Sequence, residues 1–188
     1  MTARARQHAT YEDLLKVPDT MVAELIDGEL FVSPRPGGPH TNAASNVGFF
    51  LGPPYQWGRG GPGGWWILDE PEIHFRHNVL VPDLAGWRRE RMPMFPKDHV
   101  FSIVPDWVCE VVSPSSGRLD RLKKMPIYAR EGVDHAWIID PDQQTLEAFQ
   151  RQDDKWIVSV YGEEPLVRVP PFDEIEIDLT LIWGPPPA

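Results

Sequence analysis

The stretch Pro105-Asp106-Trp107-Val108-Cys109-Glu110-Val111-Val112-Ser113-Pro114 decides how this chain is read. Most of it is a short apolar run rich in β-branched residues and closed by a Ser-Pro breaker, the pattern of a buried strand. Glu110 stands in its middle. A carboxylate buried there costs on the order of several kcal/mol unless it is paired or bound to a metal. Either the strand is an edge with Glu110 turned to water, or Glu110 holds a cation and the surrounding chain supports it. Cys109 is next to it in sequence, so it points to the opposite side of the strand and reads as a small core residue.

Working outward, Ser115 to Glu131 reads as a helix, with Ser115 or Ser116 as cap and Gly132 as the C-terminal stop. Pro126 lies inside it and is expected to kink it, because proline removes a backbone donor. Val133 to Ile139 reads as a strand ended by Asp140-Pro141. Strand, helix and strand together make a βαβ crossover, right-handed and parallel. Thr145 to Arg151 and Lys155 to Tyr161 form a hairpin around Asp153-Asp154, and Ile175 to Trp183 reads as a last strand.

Before the central strand, Tyr11 to Val17 reads as a short helix with Thr10 as N-cap and Pro18 as stop. Val22 to Ile26 and Glu29 to Ser33 flank Asp27-Gly28, a type I′ hairpin signal. His40 to Leu51 is small-residue rich and helical. Gly52 to Gly64 is so dense in glycine and proline that it is expected to be an irregular, mobile connection. It is neither a P-loop nor a dinucleotide fingerprint. Trp65 to Phe75 and Val79 to Trp87 read as two antiparallel strands around His77-Asn78, the second containing Pro82-Asp83. The expected fold class is α/β, with a mixed α+β sheet in one domain spanning 1–188. Residues 1–9 and 184–188 are expected to be flexible tails.

Composition narrows the function. The chain has 188 residues and a formal net charge of −10, which argues against coating nucleic acid by bulk charge. It leaves open an enzyme whose site concentrates carboxylates around a divalent ion and whose basic surface is local. No apolar run approaches the ~20 residues of a membrane span, and no apolar segment follows Arg4 and Arg6, so neither a membrane anchor nor a secretory signal is expected. The one cysteine fits a reducing, cytoplasmic setting.

Asp106 lies on the same strand as Glu110, but four residues of strand span about 13 Å, too far for one ion. Asp83 comes from another strand, and neighbouring strands lie about 4.8 Å apart. Oxygens from Asp83 and Glu110, completed by waters and a substrate phosphate, are the usual way of holding Mg²⁺. A cation near the scissile phosphate assists hydrolysis. The helix after the Glu110 strand packs back over it, so Lys124 can reach the site, while Lys123 points about 100° away. For both lysines a solvated helix face is the competing reading. His74 and His77 lack a third ligand at zinc spacing and read as solvated turn histidines. Trp65-Trp66 is a candidate platform for stacking on bases.

The pieces Glu24-Leu25-Ile26-Asp27-Gly28-Glu29-Leu30, His40 after the Ser33-Pro34 loop, Pro82-Asp83 and Glu110-Val111-Val112-Ser113-Pro114-Ser115 occur in that order. Asp120, Lys124, Tyr128, Gly132-Val133, Trp137 and Asp140-Pro141 follow. In order and spacing this resembles the prokaryotic putative restriction endonuclease family of the PD-(D/E)XK nuclease superfamily, from about Tyr11 to Trp183. The resemblance implies a restriction-endonuclease-like core and Mg²⁺-dependent hydrolysis (Mn²⁺ as substitute) of DNA phosphodiester bonds. It matches Asp83 and Glu110 to the acidic metal ligands. The superfamily lysine normally stands two residues after the glutamate, where this chain has Val112, and the resemblance moves that role to Lys124. Glu24 is an additional ligand or a structural pair, and His40 is a phosphate contact or a helix cap. Arg88, Arg89, Arg91, Arg118, Arg121 and Lys123 are the candidate DNA-tracking surface, together with Lys97. Nucleases of this kind often act as homodimers. The alternatives are an inactive nuclease-fold binding module and a metal-dependent hydrolase of another phosphate ester. This sequence departs from the family at Pro126, which puts the aim of Lys124 in question, and at His135-Ala136.

Overall fold

Asp27 and Gly28 both have positive φ, 49° and 79°, as a type I′ turn demands. Across them β1 (Met21–Ile26) pairs antiparallel with β2 (Glu29–Pro34). The computed structural model describes residues 8–113 and 116–184. Ser115 as a cap, and most of the two expected tails, lie outside them. Ala9 does not belong to a loose tail, because its N–H donates to Gly28 O at 2.9 Å. The first helix, α1, is shorter than expected (Tyr11–Leu14); Thr10 donates to Asp13 through its N–H and hydroxyl at 3.0 and 2.9 Å.

The two long strands expected at 65–75 and 79–87 are each broken at a proline. β3 (Trp65–Asp69) and β4 (Glu72–Phe75) flank Glu70-Pro71, and β5 (Asn78–Leu80) and β6 (Leu84–Arg88) flank Val81-Pro82-Asp83. A proline cannot donate to a ladder, so each strand stops there and resumes in a different sheet. β4 pairs with β5 and β3 with β6, so one bent hairpin runs through both sheets. One sheet has the order β2-β1-β5-β4-β7, with β7 at Val100–Phe101. The other is built on β8 (Trp107–Val111), β9 (His135–Asp140), β10 (Thr145–Gln152) and β11 (Lys155–Tyr161), in the order β11-β10-β9-β8-β6-β3. At the bend, the Glu70 N–H donates to Asp83 O at 3.0 Å.

β8 and β9 are parallel, as the crossover requires. The connecting helix is not a kinked α-helix. It runs as α3 (Gly117–Leu119), a π-helical turn over Asp120–Lys124, and α4 (Met125–Glu131), capped by Gly132 at φ 94°. Pro126 falls in the first turn of α4, where a missing N–H does little harm. The backbone opens into the wide turn before the proline, and Met125 N–H reaches back to Asp120 O.

α2 (Gly38–Leu51) follows β2, and the glycine-rich stretch after it is partly regular, contrary to expectation. Gly52–Gln56 is another π-helical turn, closed by Trp57 N–H on Gly52 O at 3.1 Å. The rest folds back on it, with Arg59 N–H on Pro53 O and Gly63 N–H on Pro54 O. Gly61 comes so near Pro54 that a Cβ there would lie 2.4 Å from the proline Cβ. Glycine is therefore used here for close packing of the loop against itself.

The expected last strand, 175–183, is also corrected. Only Ile177–Asp178 (β13) is extended, paired with β12 (Leu166–Val167), and Leu179–Trp183 is a helix, α5. Asp178 caps it by accepting from the Thr180 N–H at 3.0 Å. α5 lies against α2, where Asn42 and Asn46 side chains donate to Ile182 O and Leu181 O.

The two faces of the β8 sheet have separate cores. α2, α5, Trp107, Cys109, Trp137 and Phe172 cover one face, with the three aromatic rings edge-to-face at 5.0–5.6 Å. α4 covers the other, packing Met125, Ile127 and Tyr128 against Ile26, Ile73 and Val108. Glu110 shares the α4 side and Cys109 the α2 side. Trp65 is buried in the α2-side core, so it does not form a base-stacking platform, and the Trp66 indole N–H is taken by Met92 O. His74 is not in a turn: it lies on β4 against Glu72 and the Tyr11 ring. Among the described residues no helix is long and apolar enough to cross a membrane.

Candidate active site

The site lies at the seam of the two sheets, because the elements that carry its charges meet there. Glu24 comes from β1 and Glu110 from near the end of β8. Asp83 comes from the bend between β5 and β6, and Asp120 and Lys124 from the π-helical turn. Glu110 is 3% exposed and Lys124 also 3%. The strand is therefore no edge, and the carboxylate is paired. Lys124 Nζ donates to Glu110 Oε2 at 2.9 Å, lies 3.0 Å from Glu24 Oε1 and 3.5 Å from Asp120 Oδ1. The Tyr128 hydroxyl donates to Glu110 Oε1. Glu24 is thus a partner of Lys124, and its Oε1 also accepts the Val81 N–H at 2.9 Å.

Asp83 is held from both sides. Its Oδ2 accepts the Val111 N–H at 2.7 Å, which ties it to the residue after Glu110, and its Oδ1 is 2.6 Å from His40 Nε2. His40 is therefore a partner of Asp83 near the start of α2. Glu24, His40, Asp83, Glu110, Asp120 and Lys124 line one cleft of about 550 Å³, with Arg35 and Glu70 also on its wall.

One ammonium within 3.5 Å of three carboxylates leaves the cleft short of positive charge. Burial pushes the Glu110 carboxyl well above its usual range; Lys124 pulls it back, while Asp120, Asp83 and Glu24 push it further up. Burial raises Asp120 as well. For Lys124 burial acts downward, but Glu110, Glu24, Tyr128 and Asp120 outweigh it, so the ammonium stays charged well above the usual lysine range. Burial and Glu110 likewise hold the Tyr128 phenol protonated.

Among the described residues no group of three His, Cys, Asp or Glu side chains is arranged to hold a metal ion by itself. Mg²⁺ does not demand such a cage. It is commonly held by one or two carboxylates, with waters and substrate phosphate supplying the rest. Asp83 and Glu110 offer hard oxygen donors on one cleft with surplus negative charge, and this donor set fits that ion.

The basic residues fall in two groups. Arg88 lies over the Trp65 ring at 4.6 Å, Arg89 over Trp66 at 3.9 Å with donation to Trp65 O and Gln56 O, and Arg91 pairs with Asp106 at 2.8 Å. These three anchor local structure and do not line the cleft. Arg118, Arg121 and Lys123 surround Lys124 on its helical segment; Arg121 is paired with Glu147, and Arg118 is exposed. Asp106 is likewise structural, since it also accepts the Arg88 N–H. Sequence reasoning gave no role to Asp120 and Tyr128, although both stand four residues from Lys124, a spacing that places side chains on one helical stripe.

The arrangement can be set beside known proteins. A solved structure, that of a putative nuclease belonging to DUF820 from Anabaena variabilis ATCC 29413, superimposes with a TM-score of 0.76 at 26% identity. The match covers 93% of this chain and 97% of that one. Comparison with curated proteins finds no match. A family model described as putative restriction endonuclease, Uma2, matches residues 9–181. With that match running from before β1 into α5, and a nuclease fold around the paired Glu110 and Lys124, the chain belongs to the Uma2 family of putative restriction endonucleases.

Proposed function

We propose that the protein is a Mg²⁺-dependent endonuclease that hydrolyses phosphodiester bonds of DNA. The observation that carries this reading is the convergence of Asp83, Glu110 and Lys124 on one cleft, with carboxylates in excess over the single buried ammonium. Asp83 and Glu110 hold the ion. When bound, Mg²⁺ polarises the phosphorus centre and lowers the pKa of a coordinated water. Lys124, held charged by its neighbours, stabilises the developing negative charge of the phosphate. Tyr128 and the Val111 N–H fix the carboxylates, so the donors need little reorganisation. Arg118 and Lys123 steer the strand towards the cleft, and a homodimer sets two such clefts against two strands.

The test is cleavage of duplex DNA by purified protein. Activity requires Mg²⁺ or Mn²⁺ and falls at least a hundredfold in Glu110→Gln; cleavage unchanged by that substitution refutes the assignment. One observation favours a second reading, a nuclease fold kept as a binding module: both Glu110 oxygens already accept hydrogen bonds, from Lys124 and Tyr128. Calorimetric titration with Mn²⁺ separates the two. Binding lost in Asp83→Asn supports the enzyme, and no binding by the unaltered protein supports the module.

A further inference from the structure

Resting on the endonuclease reading, we infer that Arg35 is the residue that positions the substrate phosphate at the mouth of the cleft, by exchanging its ion pair with Glu70 for the phosphate. The cleft is short of cations that a phosphate could engage. A polyanionic strand entering this cleft meets Glu24, Glu70, Asp83, Glu110 and Asp120 on its walls. Against them, the basic side chains lining the cleft among the described residues are Arg35, His40 and Lys124. Lys124 is buried within reach of three carboxylates, and His40 is engaged with Asp83. Arg88, Arg89 and Arg91 lie off the cleft and are committed elsewhere.

Arg35 differs from all of these. Its side chain is 51% exposed and is held by Glu70, itself 38% exposed, and by one longer contact to Asp19 O at 3.3 Å. An exposed pair of this kind contributes little and is readily given up. A guanidinium on a phosphate makes two parallel charge-assisted hydrogen bonds instead. The backbone around Arg35 is stiff, because Pro34 just before it has its own φ fixed and Pro36 restricts Arg35 itself to extended conformations. The side chain can therefore swing while its root stays at the cleft. Glu70 is fixed too, since its N–H donates to Asp83 O at 3.0 Å. Arg35 is thus held at the cleft by a residue whose backbone is bonded to that of Asp83, the proposed metal ligand. In this arrangement Glu70 competes with substrate for Arg35.

The experiment combines steady-state cleavage of duplex DNA in Mg²⁺ with binding of a fluorescein-labelled duplex in EDTA over a series of salt concentrations. Arg35→Ala is expected to raise KM about tenfold with kcat within threefold, and to lower the slope of log affinity against log salt by about 0.9, one phosphate contact. Arg35→Lys recovers part of the KM, and Glu70→Gln lowers KM about two- to fivefold by removing the competitor. A loop-anchoring role would leave KM and the salt slope unchanged and shift only the melting temperature. If the unaltered protein cleaves and Arg35→Ala matches it in KM and slope, the inference falls and the endonuclease reading stands. If the unaltered protein neither cleaves nor binds duplex, both fall.

Discussion

Replacing Lys124 by methionine tests the electrostatics of the seam directly. Methionine keeps most of the length and apolar volume, so packing against α4 changes little. What is lost is an ammonium that lies 2.9 Å from Glu110, 3.0 Å from Glu24 and 3.5 Å from Asp120, all inside a region where these groups are less than a tenth exposed. Removing one partner of a buried ion pair typically costs about 3–5 kcal/mol, because the remaining charge stays desolvated. Here three carboxylates are left facing each other, so the upper half of that range is expected at pH 8. Proton uptake limits the loss, since Glu110 and Asp120 are already pushed above the usual carboxylate range. For a chain of this length each kcal/mol moves Tm by about 2–4 °C, so a drop of roughly 8–20 °C follows. Urea denaturation followed by tryptophan fluorescence gives the same quantity as a shift in midpoint at constant slope. Leu122→Met on the same helical segment, at an exposed side chain, is the matched control and stays within about 0.5 kcal/mol. A loss below about 1 kcal/mol for Lys124→Met would mean that the ammonium does not hold the carboxylates together, and the description of the site would be wrong.

Other consequences are checkable in the same preparations. Gly86→Ala places a Cβ 3.2–3.3 Å from Ile67, Trp107 and Trp65 side chains, so urea denaturation should show about 1–3 kcal/mol of lost stability from overpacking. Cys109 is fully buried and its thiol is raised by burial, so native protein should stay unreactive to a thiol reagent at pH 8 and react fully once denatured. Burial, helped at Tyr11 by Glu72, pushes the Tyr11 and Tyr55 phenols up to about 12, and Tyr128 lies well above its usual value. The folded state therefore keeps these protons where the unfolded chain loses them. Their contribution to stability is intact below pH 10 and declines as pH rises from about 10 towards 12. Absorbance at 295 nm should show three phenols still protonated at pH 10.5 in the folded protein and titrating together with unfolding.

The elements with local signals were legible. The Asp27-Gly28 turn, the β8 strand, the crossover to β9 and the β10–β11 hairpin each follow from a few adjacent residues. The change of sheet within 65–75 and 79–87 was missed, although Pro71 and Pro82 stand inside those runs and a proline argues against an uninterrupted inner strand. At 175–183 the alternation of Ile177, Leu179 and Leu181 reads as extended, while the cap that starts α5 rests on two hydrogen bonds from Thr180, its N–H and its hydroxyl, to Asp178. Glu110 betrayed itself as a charge within an apolar run. Asp83 and Lys124 could be placed in its neighbourhood from strand spacing and the crossover. That Glu24 pairs with Lys124, and that Arg88, Arg89 and Arg91 are engaged by local partners, depends on how two sheets meet, and no window of sequence contains that information.

The bent hairpin has a mechanical consequence. Because β3 continues into β4 and β5 into β6, neither sheet can come apart without pulling on the strands of the other. Two sheets and separate hydrophobic clusters would ordinarily invite melting in stages. Here a single sharp transition is expected, with amide protons of β1 and β9 exchanging at matching rates near the limit set by global unfolding.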